Sequence, residues 1–207
     1  MLFRSFGDDI EFFSLTEMAQ NFDIKRVSAN PARFDIKKAT AINADWIRKL
    51  KPEELSQRMI NQLVSDKILP ENPTSIQKDL VLKATPLVQE RLEKLSQTSN
   101  MLSFLLVEEK DFVVNHEDAE SALTHENMPA LEASLKVIEN ISSFKTQDLH
   151  DELNKVLVQE MGLKPRIAFT ALRVAVTGRK VSPPLFESME LLGREKVLAR
   201  IRQQIKK

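Results

Sequence analysis

Between Met161 and Phe186 the chain carries Lys164, Arg166, Arg173, Arg179 and Lys180 and no aspartate or glutamate. The last fifteen residues add Arg194, Lys196, Arg200, Arg202, Lys206 and Lys207 against Glu195 alone. Cations without local anions attract a polyanion, and phosphate is the usual one. The same run also fits a solvated basic surface, with the terminal cations complementing the dipole of a last helix. His116, His125 and His150 sit in separate segments among acids, and no two are spaced as a pair on one helix face, so no metal site is expected. No nucleophile–base set appears, and four glycines cannot build a phosphate-cradling loop. The carboxylates alternate with cations as solvated helix faces do, and no catalytic residue is assigned.

These cations must be positioned by helices. Gly178 follows the apolar run Val174 to Thr177, and Gly193 follows Met-Glu-Leu-Leu. Each is the residue type that ends a helix with positive φ. Ser182 before Pro183 and Pro184 reads as an N-cap with proline in the first turn. Leu185, Met189 and Leu192 then repeat at helical spacing, which gives helix, tight turn, helix, tight turn, helix.

Upstream, Ser14-Leu15-Thr16-Glu17 is a capping-box pattern opening a short helix to about Phe22, and 28–31 breaks it. A helix over 34–42, a cap at Asn43 and a second short helix over 44–50 follow, with Phe34, Ala41, Ile42, Trp46, Ile47 and Leu50 as expected core. Pro52 opens a helix to about Val64. Thr74 caps another to about Lys83, and Thr85-Pro86 restarts one to about Leu95, with Ile76, Leu80, Leu87, Leu92 and Leu95 as its apolar stripe. The apolar segment 101–107 reads as buried helix. The charged stretch Glu108 to Asp118 reads as a boundary, followed by helices over 118–124 and 129–141. Thr146 is expected to cap one ending at Gly162, with Leu149, Leu153, Val156 and Leu157 inward. Strand signals are few, so the expected class is all-α.

The chain has 207 residues, enough for one large or two small domains, and its net charge of zero hides a basic tail and an acidic middle from Glu108 to Glu152. It has no cysteine, hence no disulfide framework and no thiolate zinc site. No apolar run approaches the ~18 residues of a membrane span. No signal-peptide core precedes the first charges, and the abrupt start suggests a fragment. A cytoplasmic protein is expected.

Ala168-Phe169 and Leu172-Arg173 lead into VAVTGRKVSPPLFESMELLGRE, which resembles the extreme C-terminus of bacterial glutamyl-tRNA synthetases. ANPARFDIKKATAINADWIR, Ala29 to Arg48, is similar to the segment after that family's second catalytic signature: Lys37-Lys38, Asn43 and Ile47-Arg48 fall on its pattern. The two motifs stand in the right order at about the right separation. The HIGH-type and KMSKS-type signatures are absent. The resemblance therefore implies the C-terminal part of a class I glutamate–tRNA ligase. The whole enzyme uses ATP and Mg²⁺ to join glutamate to tRNA, and this chain is expected to hold no cofactor and not to be catalytic on its own.

The resemblance further implies the end of a stem-contact domain over 1–51, a first anticodon-binding helical domain over 52–117 and a second over 118–207, together a helical cage. Its anticodon contacts fall on Arg91, Lys155, Thr170, Arg173, Ser182, Pro183 and Leu185. Lys37, Lys38, Arg48, Arg179 and Lys180 are implied as contacts to the tRNA stem or backbone. Arg91 holds the position that marks insistence on cytosine as the last anticodon base. Cytosine offers two adjacent acceptors and guanidinium two parallel donors. Thr170-Ala171 departs from the family's more usual residue–proline pair. On the residues alone, Arg91 reads as a surface ion-pair partner of its helical neighbours. The implied partner is tRNA(Glu), bound by a monomer, and the alternative function is a helical protein–protein interaction module.

Overall fold

The computed structural model describes residues 14–26 and 35–206. The break expected over 28–31 and the core role expected of Phe34 lie outside the described residues. Among those described there are eleven α-helices and no strand.

The first helix, α1 (Leu15–Asn21), carries the expected capping box: Ser14 Oγ accepts the Glu17 N–H, and the Glu17 carboxylate accepts the Ser14 N–H. It buries no residue. Next, α2 (Ile36–Lys49) is one continuous helix, not two. Asn43 does not cap. Its amide reaches across to the Glu93 carbonyl instead. Within α2 only Ala44 and Ile47 are buried, and Trp46 is 45% exposed with the Lys49 ammonium 5.6 Å from its ring. The α2 stripe is too narrow to hold the tryptophan as well.

The antiparallel pair α3 (Pro52–Ser65) and α4 (Ser75–Gln89) forms the first packed layer. Leu55, Met59 and Leu63, one turn apart on α3, are fully buried. Thr74 caps α4 as expected, and α4 then runs straight through Pro86. The proline ring sits on the exposed face, and Thr85 Oγ1 instead donates to the Val81 carbonyl at 2.8 Å. The buried stripe is Val81, Ala84, Thr85 and Val88, one step round from the expected one, and Ile76 is 79% exposed. Helix α5 (Thr98–Leu106) closes this layer.

The remaining helices are α6 (His116–Ala122), α7 (Met128–Asn140), α8 (Thr146–Asn154, continued by the π-helical stretch Lys155–Glu160), α9 (Pro165–Thr177), α10 (Leu185–Leu192) and α11 (Arg194–Ile205). Their hub is α9, on which Ala168, Ala171, Leu172, Ala175 and Val176 have no exposed surface. The three alanines let α6, α7 and α11 approach its backbone closely. Thr146 is the first residue of α8 and not its cap. The cap comes from outside: the Glu190 carboxylate accepts both the Thr146 N–H, at 2.6 Å, and its hydroxyl, at 2.7 Å.

One contiguous core spans both layers, and α10 packs on α4 and α5. The charged stretch Glu108 to Asp118 is built into it. Arg200, with a fully buried side chain, donates to Glu109 (Nε at 3.0 Å, Nη2 at 2.8 Å), to the Val176 carbonyl at 2.8 Å and to the Phe104 carbonyl at 2.9 Å. Its guanidinium lies 3.7 Å from the Phe112 ring centroid. One side chain on the last helix thus ties α5, α9 and the intervening stretch together.

Candidate nucleic-acid interface

The arginines of the basic tail read from the sequence are engaged within the fold. Arg200 is buried; Arg202 pairs with Glu139 at 2.7 Å; Arg194 donates to the Ile141 carbonyl and lies over the Phe144 ring. Lys155, Lys164, Arg166, Arg179 and Lys180 are exposed and without an ion-pair partner among the described residues, as is Lys37, apart from them on α2.

Most of that group is arranged by α9. Pro165 at its first position sets the helix start, and the spacing of Arg166, Thr170 and Arg173 puts all three on one face. Gly178 ends α9 at φ 80°, the left-handed cap the sequence leads one to expect. A Cβ there would meet the Val113 carbonyl oxygen at 2.8 Å. The chain then turns back through Arg179 and Lys180 to the segment 182–184 and enters α10. The Lys180 N–H donates to Asp118 Oδ2 at 2.9 Å, which fastens this return to α6.

On that turn the two arginines named from the sequence converge. Arg173 Nη1 donates to Ser182 Oγ and to the Pro183 carbonyl, both at 2.8 Å. Arg91 Nη1 donates to the Ser182 carbonyl at 2.9 Å. No carboxylate is bonded to either arginine among the described residues. Burial, and next the nearby Arg91 charge, hold the Arg173 guanidinium below the usual arginine range, while Glu187 acts the other way. Two guanidiniums meeting with no carboxylate bonded to either form a site with spare N–H donors.

Ser182 is therefore not the helix cap. Pro184 occupies the cap position of α10 without a side-chain bond, and Ser182, 3% exposed, serves Arg173 instead. Pro183 and Leu185 are buried as well. These three set the arginines in place from below. Arg91 is not on a helix: it follows the end of α4 in a turn, its N–H bonded to the Val88 carbonyl. Its partner lies across the fold and not one turn away, so the local surface-pair reading is replaced.

Thr170 Oγ1 donates to the Arg166 carbonyl at 2.5 Å, leaving the hydroxyl oxygen as an acceptor. Lys155 opens the π-helical stretch and is exposed. Because α8 and α10 run antiparallel, Lys155 lies at the end of α8 that heads toward the 182–184 turn. Lys37, Lys38 and Arg48 lie apart on α2, and Arg48 is engaged by Asp45 at 2.6 Å and Glu90 at 3.5 Å. Gln89 fastens α2 beside Arg91 by donating to the carbonyls of Ile47, Arg48 and Leu50.

Three rings escaped the sequence reading. His150, Phe186 and Phe169 stand edge to face in series, 5.2 Å and 5.3 Å between centroids. The i,i+4 step from Phe169 to Arg173 was the available signal. No cluster of three or more carboxylates and imidazoles able to hold a metal exists among the described residues. Nor, among them, is any helix long and apolar enough to cross a membrane.

Residues 14–205 match the family model described as an anticodon binding domain. The chain belongs to the anticodon-binding domain family. Among similar curated proteins are glutamate–tRNA ligases of Kineococcus radiotolerans, 47% identical over 197 residues, and of Saccharopolyspora erythraea, 47% identical over 198. These matches cover 95% and 96% of this chain but 39% of each relative, so the chain spans about two fifths of their length. The crystal structure of a glutamate tRNA ligase from Elizabethkingia meningosepticum has the same fold, with a TM-score of 0.76 at 22% identity over 98% of this chain and 38% of that one. The all-α anticodon-binding architecture expected from the two sequence motifs is therefore the one the chain has.

Proposed function

We propose that this anticodon-binding chain reads tRNA(Glu) as the C-terminal part of a glutamate–tRNA ligase, with Arg91 and Arg173 making the decisive contacts. The convergence of these two arginines on the 182–184 turn, with no carboxylate bonded to either, carries the reading. Unpaired anticodon bases present their Watson–Crick edges. Arg91 is the exposed member of the pair, free to exchange its bond to the Ser182 carbonyl for the two adjacent acceptors of cytosine. A guanine in that place opposes its own N–H donors to the guanidinium. Arg173, half-buried, keeps the turn in register and supplies a second source of positive charge.

Lys155, Arg166, Arg179 and Lys180 are suited to the loop phosphates around these contacts, and Thr170 offers an acceptor on the same face as Arg173. Lys37 and Lys38 fit the stem more than the loop; Arg48, already twice paired, contributes less. In this reading ATP and Mg²⁺ belong to the part of the parent enzyme outside this chain, and the protein is a cytoplasmic monomer.

The test is binding of the full chain to tRNA(Glu) and to the same tRNA with its last anticodon C changed to G, at two salt concentrations. A salt-sensitive preference for the C form is the expected result. Salt-sensitive binding without preference would leave only a basic surface, and no binding at either salt would overturn the reading.

A further inference from the structure

We propose that His150 is a base-stacking residue: its imidazole, backed by Phe186 and Phe169, takes the face of one unstacked base of the anticodon loop. This deepens, and rests on, the anticodon-reading function proposed above.

The rings are held by helix register. Along α10, Glu190 and Phe186 are one turn apart, and along α8 so are Thr146 and His150. Glu190 bonds Thr146, and Phe186 stands edge-on to His150, at 87° with 5.2 Å between centroids. The same antiparallel step carries the next turn of α8, Asn154 and Lys155, toward the 182–184 turn where Arg91 and Arg173 meet. On the other side Phe186 stands at 81° to Phe169, one turn before Arg173 on α9. The ring series therefore borders the arginine site from two helices.

The outer ring is the most accessible of the three. Phe169 and Phe186 are half-buried and pack against the core, whereas the His150 side chain is 49% exposed. In an edge-to-face contact the imidazole uses at most one of its two faces, so at least one face stays open. The ring is also oriented: Nδ1 lies 2.9 Å from Asp151 Oδ1, a contact between two exposed neighbours that adds little to the fold. An oriented, open-faced ring, joined through Phe186 to the Phe169 that stands one turn before Arg173, supplies what the arginines lack. Their hydrogen bonds can identify a base edge, but a base lifted from its stack must recover stacking on a planar surface.

The experiment uses the full chain and anticodon stem–loops of tRNA(Glu) with 2-aminopurine at each anticodon position in turn. One position is expected to change fluorescence on binding. H150A should abolish that change and weaken binding by about tenfold, within the range for losing one base–aromatic stack. H150F should restore both to within about twofold, and neither variant should alter the helical circular dichroism. If H150A keeps the fluorescence change and the affinity while Arg173→Ala loses binding, the inference is overturned and anticodon reading stands. If the unaltered chain binds no stem–loop at either salt concentration, both fall together.

Discussion

At the scale of single residues, the chain uses arginine in two opposed ways. Arg200 is spent on the fold and Arg173 and Arg91 on a site, and the difference is in their acceptors. Arg200 satisfies two buried carbonyls, those of Val176 and Phe104, as well as Glu109. Glu109 itself is 36% exposed, so solvent screens the ion pair and the carbonyls account for most of its worth. Arg200→Met should therefore cost about 3–5 kcal/mol in urea denaturation, because it strands both carbonyls and the carboxylate. Glu109→Gln should cost only about 1 kcal/mol; equal costs for the two variants would show that the ion pair dominates. Arg91→Gln should leave stability unchanged and narrow the preference for a final anticodon C over G by roughly 1–3 kcal/mol, read from the ratio of dissociation constants. No sequence rule separates these arginines. Arg200 and Arg91 sit among acids and lysines in the sequence and Arg173 in the acid-free stretch, and only packing shows which is buried.

At the scale of elements, the sequence was legible wherever a signal was local. The capping box at Ser14, the cap at Thr74, the proline opening α3 and the glycine ending α9 all act within one turn, and all appear as read. Misreadings arose where a distant partner overrode the local signal. Asn43 looked like a cap but bonds the Glu93 carbonyl; Ser182 looked like a cap but bonds Arg173; Thr146 is capped by Glu190, 44 residues away. That last contact carries a prediction about acid. The Thr146 hydroxyl first, then the Lys145 ammonium and the Thr146 N–H, pull the Glu190 carboxyl down from 4.5 to about 2. A carboxyl depressed in the folded state contributes stability that is fully present above its unfolded value and is lost as pH falls through its folded value. Glu190→Gln should therefore destabilise the chain at neutral pH by about 0.5–2 kcal/mol, as loss of a helix N-cap does, and should flatten the fall in stability between pH 4.5 and 2. Thermal melts of both proteins across that window measure it. At the C-terminal end of α9, Gly178→Ala should cost at least about 1 kcal/mol, since φ is 80° and the new Cβ would press on the Val113 carbonyl oxygen.

At the scale of the molecule, net charge misleads and charge placement decides. The chain sums to zero, and its most basic stretch by count is the tail. Yet folding turns Arg194, Arg200 and Arg202 onto a carbonyl, a buried cluster and Glu139, respectively, so the arginines of that tail are engaged within the fold. The acid-free stretch behaves differently because α9 and the turn after it have no carboxylates of their own. Arg166, Arg179 and Lys180 stay exposed and unpaired there among the described residues, and Lys155 joins them from α8. Salt dependence distinguishes the two groups, because only a cation that meets phosphate displaces a counterion from the RNA. Each such contact steepens the fall of log affinity with log salt by about 0.7–0.9. Removing Arg166, Arg179 or Lys180 as glutamine should therefore flatten the slope by nearly one each, with effects that add because the sites are separate. Arg202→Gln should leave the slope where it is, even though it removes the same formal charge from the same chain. An equal change of slope from both groups would mean that the RNA meets the protein through its overall field, and the ordered face of α9 would then have no special part in binding.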